Sequence, residues 1–184
     1  MITMEIIAFS SVFLLLIILF AIVRLQPRGK HVSISEHAAM TSWTYWIFGI
    51  SLSLFGGIFL FFLQTSFSAS VEMPMYLSFM YPFIWICLLG TAWVPDTGNG
   101  KLSKTHKIVA FSLAGWMVII ISSLPFSGHI PLFLKFIAAI ISLWYIYTLY
   151  LFAFVKKSLQ NFLVYQTINT VSFFMIIAAI SVFQ

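Results

Sequence analysis

The sequence predicts an all-α, polytopic membrane protein folded as a bundle of six transmembrane helices, and three observations carry that prediction. Hydrophobic residues make up 62% of the 184-residue chain and charged residues 7%, with a mean hydropathy of +1.09. Soluble domains carry roughly 25% charged residues, so most of this surface must face something other than water. Apolar runs of about 20 residues recur along the chain, the length that crosses a hydrocarbon core roughly 30 Å thick. Eight of the nine Lys and Arg residues sit in three short segments between those runs. The segments hold Arg24, Arg28 and Lys30, then Lys101, Lys104 and Lys107, then Lys156 and Lys157; Lys135 stands apart.

The first helix is expected at about 4–24. Its stretch MITMEIIAFSSVFLLLIILFAIV superficially resembles a secretory leader, but Glu5 precedes the apolar core and Arg24 follows it. A leader has the opposite charge order, so the segment reads as a retained helix whose N-terminus crosses the bilayer. The second helix, about 40–65, carries Gly49, Ser53 and Gly56 with Gly57 alongside, a stripe of small residues that admits a close helix neighbour. The third, about 74–94, opens on Pro74, and the fifth, about 131–155, on Pro131, positions where a missing N–H costs nothing. The fourth spans about 107–125 and the sixth about 159–183. Trp43, Trp46 and Trp93 fall at helix ends, where amphipathic rings favour the interface. Lys135, one turn into the fifth helix, reads either as a side chain snorkelling to the headgroups or as a functional buried charge.

If the helices alternate across the bilayer, all three basic clusters lie on one side. The opposite connections, TSFSASVEMP and SLPFSGHIP, contain no Lys or Arg. The positive-inside rule then makes the clusters cytoplasmic and puts both termini outside. This distribution also explains a pI near 9.5 and a net charge of +5 without any nucleic acid as partner. The lipid bilayer is the expected partner, with another membrane protein or a second copy of the chain as further candidates. The single cysteine, Cys87, rules out an internal disulfide or dithiol chemistry. The whole chain, 1–184, forms one membrane domain.

Polar groups are costly in hydrocarbon, so their positions are informative. On the expected cytoplasmic side, HVSISEHAAMTSW places Ser35, Glu36 and His37 at the start of the second helix. Asp96 follows the third helix and His106 leads into the fourth. Gln166, Asn169 and Thr170 share one face of the sixth at i, i+3 and i+4. Tyr145, Thr148 and Tyr150 occupy the inner half of the fifth. Together they describe a polar vestibule. As catalytic candidates we take Glu36, Asp96 and His106, as substrate-binding candidates Gln166, Asn169 and Tyr145, and as ligands for a metal His37, Asp96 and His106.

Each has a plainer reading. Ser35 and Glu36 suit a helix cap, Asp96 in PDTGNG suits a tight turn, the histidines suit interfacial hydrogen bonds, and the amides suit interhelical ones. GNGK lacks the remaining elements of a phosphate loop, and no HExxH is present. No cofactor is expected. A divalent metal such as zinc would need a site assembled from distant segments, and haem is disfavoured because His37 and His106 lie at the membrane edge; His129 is on the opposite side.

ISEHA after a basic loop, Trp46, Gly49 and Leu52 at the head of the second helix, and VPDTG followed by KTHKIVAF resemble bacterial and archaeal membrane proteins of domain-of-unknown-function family 998. The resemblance extends over nearly the whole chain. It implies six helices, a prokaryotic plasma-membrane location and a shared importance for Ser35, Glu36, Asp96 and His106. His37 departs from the Leu usual in that segment. The family implies no activity. The expectation is therefore an integral membrane protein of unassigned activity, more an accessory or binding protein than an enzyme. The alternatives are a metal-assisted hydrolase or transferase acting on a lipid at the cytoplasmic leaflet, and a small carrier or permease.

Overall fold

The computed structural model describes residues 2–27, 29, 31–98, 100–155 and 160–183. Seven helices follow in order among them, with no strand: α1 (Ile2–Leu25), α2 (Ile34–Ala38), α3 (Ser42–Ser70), α4 (Tyr81–Trp93), α5 (Gly100–Ser123), α6 (Leu132–Phe154) and α7 (Phe162–Phe183). Five of these, α1, α3, α5, α6 and α7, are long and apolar enough to cross a membrane. Arg28, Lys30, Lys156, Lys157 and the expected start of the last helix at 159 lie outside the described residues.

Three boundaries differ from the expected ones. The third long helix does not open at Pro74, which introduces only the 3-10 turn Met75–Leu77; α4 begins at Tyr81 with Pro82 in its first turn. At 13 residues and 1.5 Å per residue, α4 is about 20 Å long, shorter than a hydrocarbon core. The stretch before it is apolar, so hydropathy alone could not show that Pro82 sets the start. The fourth helix begins at Gly100 instead of 107, so Lys101, Lys104, His106 and Lys107 lie on a helix and not in a loop. Hydropathy ends a span where polarity begins, whereas the helical ladder continues through KLSKTH, which contains no breaker and turns Ser103 and His106, at i and i+3, inward. Finally, ISEHA is a helix of its own. α3 starts separately at Ser42, capped by the Thr41 side chain, which accepts from the Thr44 amide at 3.2 Å.

Five residues cannot sustain a helix alone, so α2 is held from outside. Ser33 and Glu36 form a reciprocal capping box: the Glu36 amide donates to Ser33 Oγ at 3.1 Å and the Ser33 amide to Glu36 Oε2 at 3.0 Å. At the other end Thr44 Oγ1 donates to the Ala38 carbonyl at 2.7 Å. Ile34 and Ala38 are buried with Leu15, Leu19 and Ile22 of α1 and Phe48 of α3 in a small satellite core.

α3 contains two π-helical turns, Leu52–Gly56 and Leu63–Phe67. Such turns disturb the i→i−4 ladder, and in an apolar setting every freed carbonyl needs a donor. The Leu63 carbonyl, which accepts the Ser68 amide across the second of these turns, is also approached by Ser68 Oγ at 2.7 Å and by the Tyr81 hydroxyl at 3.1 Å. The helices follow one another around a ring: α1 packs on α3, α3 on α4, α4 on α5, α5 on α6 and α6 on α7. α7 returns to α1 through the thinnest of these seams. Interdigitated rings, such as Phe59 edge-on to Phe174 with centroids 4.9 Å apart, fill much of the middle.

The small-residue stripe has the expected effect, and its neighbour is α4. A Cβ added at Gly49 would lie 3.1 Å from the Ala92 carbonyl oxygen and 3.1 Å from the Trp93 ring, and one at Gly57 3.2 Å from the Trp85 ring. Gly49→Leu should therefore cost about 1–3 kcal/mol by overpacking. The check is thermal unfolding in detergent, where Gly115→Leu on α5, a position with open space around its Cβ, should cost less.

Candidate functional site

Asp96 organises one end of the ring. It is 2% exposed and follows α4 in the turn before α5. Its Oδ1 accepts from Ser103 Oγ at 2.6 Å and from the Gly98 amide at 3.2 Å, the Asx-type bond that Asp provides in tight turns. Its Oδ2 accepts from Ser33 Oγ at 3.3 Å. The PDTG turn and the ISEH segment, 63 residues apart, thus meet directly. Gly98, at φ +82°, is the positive-φ residue this turn needs, and a Cβ there would lie 3.4 Å from Glu36 Oε1.

The hydroxyl chain has one consistent polarity. The Ser33 proton goes to Asp96, and Ser33 Oγ already accepts from the Glu36 amide. Ser35 Oγ, 2.9 Å from Ser33 Oγ, must then be the donor of that pair, which leaves its own lone pairs unclaimed. His106, 2% exposed, has Nδ1 2.5 Å from the Val94 carbonyl. A carbonyl only accepts, so Nδ1 carries a proton, and in that tautomer Nε2 is an acceptor. Gln166 Oε1 accepts from the Ile34 amide at 3.1 Å, which fixes the amide orientation and joins α2 to α7. Asn169 is fixed likewise, its Oδ1 accepting from Trp144 Nε1 and its Nδ2 donating to Thr148 Oγ1, both at 2.9 Å.

Several of these groups share a cavity of about 560 Å3. Glu36, Ser35, Asp96, His106, Gln166 and Asn169 all line it. Beyond them it continues between the helices, walled by residues such as Leu60 of α3, Ile84 and Leu88 of α4, Met117 of α5 and Phe173 of α7. The first π-helical turn of α3 contributes Leu52 and Gly56 to the wall. The chamber is polar at one end and hydrocarbon-like for the rest.

Among the residues expected to form a site, Glu36, Asp96, His106, Gln166 and Asn169 are brought together. Two are turned elsewhere. His37, 1% exposed, has Nδ1 2.7 Å from the Ser33 carbonyl and is absent from the cavity wall. Tyr145, 2% exposed, donates to the Asn169 carbonyl and lies 3.1 Å from Ser172 Oγ, tying α6 to α7 in the core. Among the described residues no three His, Cys, Asp or Glu side chains gather as a metal site, so His37, Asp96 and His106 do not form one there. Sequence reasoning missed Ser33, Ser103, His31 and Lys107, of which His31, Ser33 and Lys107 also line the cavity. The spacing Ser33-x-x-Glu36 is a readable capping-box signature and identifies Ser33; nothing comparable marks the others. On the far side of the molecule His129 and Glu72, both mostly exposed, pair at 3.6 Å.

No family model, curated protein or solved structure matches the chain.

Proposed function

We propose that this protein is an integral membrane protein whose helix ring holds one amphiphilic molecule, in a binding or accessory role. The observation that carries this reading is the cavity: Glu36, Ser35 and His106 line it together with an apolar wall that includes Leu60, Ile84, Leu88 and Phe173. Its volume falls within the ~300–1,000 Å3 typical of ligand sites. At about 30 Å3 per water-sized group, it has room for roughly 19 such groups, one acyl or prenyl chain with a small head. Catalysis has less support, because both Asp96 oxygens and one Glu36 oxygen are occupied by serines and backbone amides that hold the turns together.

The reading includes a topology. Five helices cross outright, and α4 with the turn Met75–Leu77 before it makes the third of six crossings. The basic clusters then share the cytoplasmic side of the plasma membrane with the cavity mouth, and both termini lie outside. The resemblance to family 998 agrees with six crossings and adds no activity.

Two measurements test this. A fluorescent single-chain amphiphile titrated into the purified protein should bind saturably with one molecule per chain; signal that only follows detergent partitioning overturns the binding reading. For the topology, Lys101→Cys in a Cys87→Ser background should resist a membrane-impermeant maleimide in intact cells and react after permeabilisation. Reaction in intact cells would invert the orientation.

A further inference from the structure

We infer that the amphiphile held in the cavity has an uncharged, hydroxyl-bearing head, such as a monoacylglycerol. This rests on the reading that the cavity takes an amphiphile, and names its chemical class.

The argument begins with what the chain of the ligand contributes. An acyl chain already sits in hydrocarbon when it lies in the bilayer, and lipid tails are as apolar as the leucines of the wall. Moving it into the cavity therefore gains little, and the polar end decides which amphiphile is retained. Hydrogen-bond accounting at that end gives acceptors and donors side by side. Glu36 Oε2 is taken by the Ser33 amide, and no described donor reaches Oε1. Ser35 spends its proton on Ser33 and presents lone pairs. His106 spends its ring proton on the Val94 carbonyl, and Nε2 of this 2% exposed side chain has no partner among the described residues. All three residues line the cavity. Against them stand two donor groups, the Gln166 amide nitrogen, since Gln166 Oε1 is bound to Ile34, and the Lys107 ammonium, which lines the same cavity. A head whose hydroxyls both donate and accept satisfies this set; one that only accepts leaves Glu36, Ser35 and His106 unpaired.

Charge narrows the class further. A phosphate or carboxylate head would gain Lys107 but would face two carboxylates, Glu36 and Asp96, in the same lining. An ammonium head would suit those but would meet Lys107, which lines the same opening, and would leave its charge in a largely apolar surrounding. Neutral hydroxyls avoid both costs. His31, exposed at the rim, suits a hydroxyl in either protonation state.

The test is competition against the fluorescent amphiphile in uncharged detergent at neutral pH, using three ligands of one chain length: a monoacylglycerol, a monoacylglycerol phosphate and a fatty amine. The monoacylglycerol should displace the reporter at roughly tenfold lower concentration than either charged analogue, the scale of one or two hydrogen bonds. A charged analogue that competes equally well or better overturns the inference while leaving amphiphile binding intact. If the reporter itself never binds saturably, the binding reading fails and this inference falls with it. Glu36→Gln keeps the capping box, since glutamine serves equally at that position, and should bring the phosphate analogue several-fold closer to the monoacylglycerol. An unchanged ratio in that variant overturns the role given to Glu36.

Discussion

Asp96→Ala should lower the unfolding temperature of the detergent-solubilised protein by roughly 10 °C, the largest effect of any single polar substitution at the cavity mouth. The residue is 2% exposed and its carboxylate ends three donors, from Ser103, Gly98 and Ser33. Hydrogen bonds to a charged group contribute about 1.5–3 kcal/mol each, and removing the acceptor leaves buried donors unpaired, so a total near ~4 kcal/mol follows once relaxation is allowed. The loss is not local. Ser33 caps α2, so without Asp96 the link between the PDTG turn and the ISEH segment goes too. Asp96→Asn retains one acceptor oxygen for Ser103 and Gly98, while Ser33 can reverse its hydroxyl to accept from the new amide; it should cost less than half as much. Equal unfolding temperatures for Asp96→Ala and the unmodified protein would remove Asp96 from its organising role.

Ala114→Trp should reduce binding of a single-chain amphiphile by more than tenfold and leave the fold intact. Ala114 lies on α5 along the cavity wall, where an indole would occupy space that the ligand chain needs. Overpacking penalties arise where a core is already full, and a substitution into open volume avoids most of them. The outcome is read twice, as lost saturable binding and as an unfolding temperature within a few degrees of the unmodified protein. Full binding by a folded Ala114→Trp protein would mean the chain of the ligand lies elsewhere.

The apolar runs and the polar positions between them were legible, and what escaped was whatever hydropathy does not encode. Pro82 starts α4, yet the residues before it are as apolar as those after. The KLSKTH segment is polar and helical at once, so a boundary drawn by polarity cuts α5 short. The convergence of Glu36, Asp96, His106, Gln166 and Asn169 followed from placing them on one side of the bilayer. Tyr145 and His37 are polar residues expected in the same vestibule, but the structure turns one into the α6–α7 contact and the other onto the Ser33 carbonyl. No pattern in a single sequence gives that rotation when the apolar face extends all around a helix. The cavity itself was invisible, because empty volume depends on how side chains from every helix meet.

α2 joins opposite ends of the chain through one short peptide. Its order is borrowed from α1 through the satellite core, from α3 through Thr44, from the PDTG turn through Ser33 and from α7 through Gln166. A segment so dependent loosens when any lender does, which makes residues 34–38 a thermodynamic relay between the first and last helices. Loosening of the thin α1–α7 seam therefore registers at the same peptide that carries Ser35 and Glu36, and the proposed occupant, bonded to those side chains, would hold the ring shut.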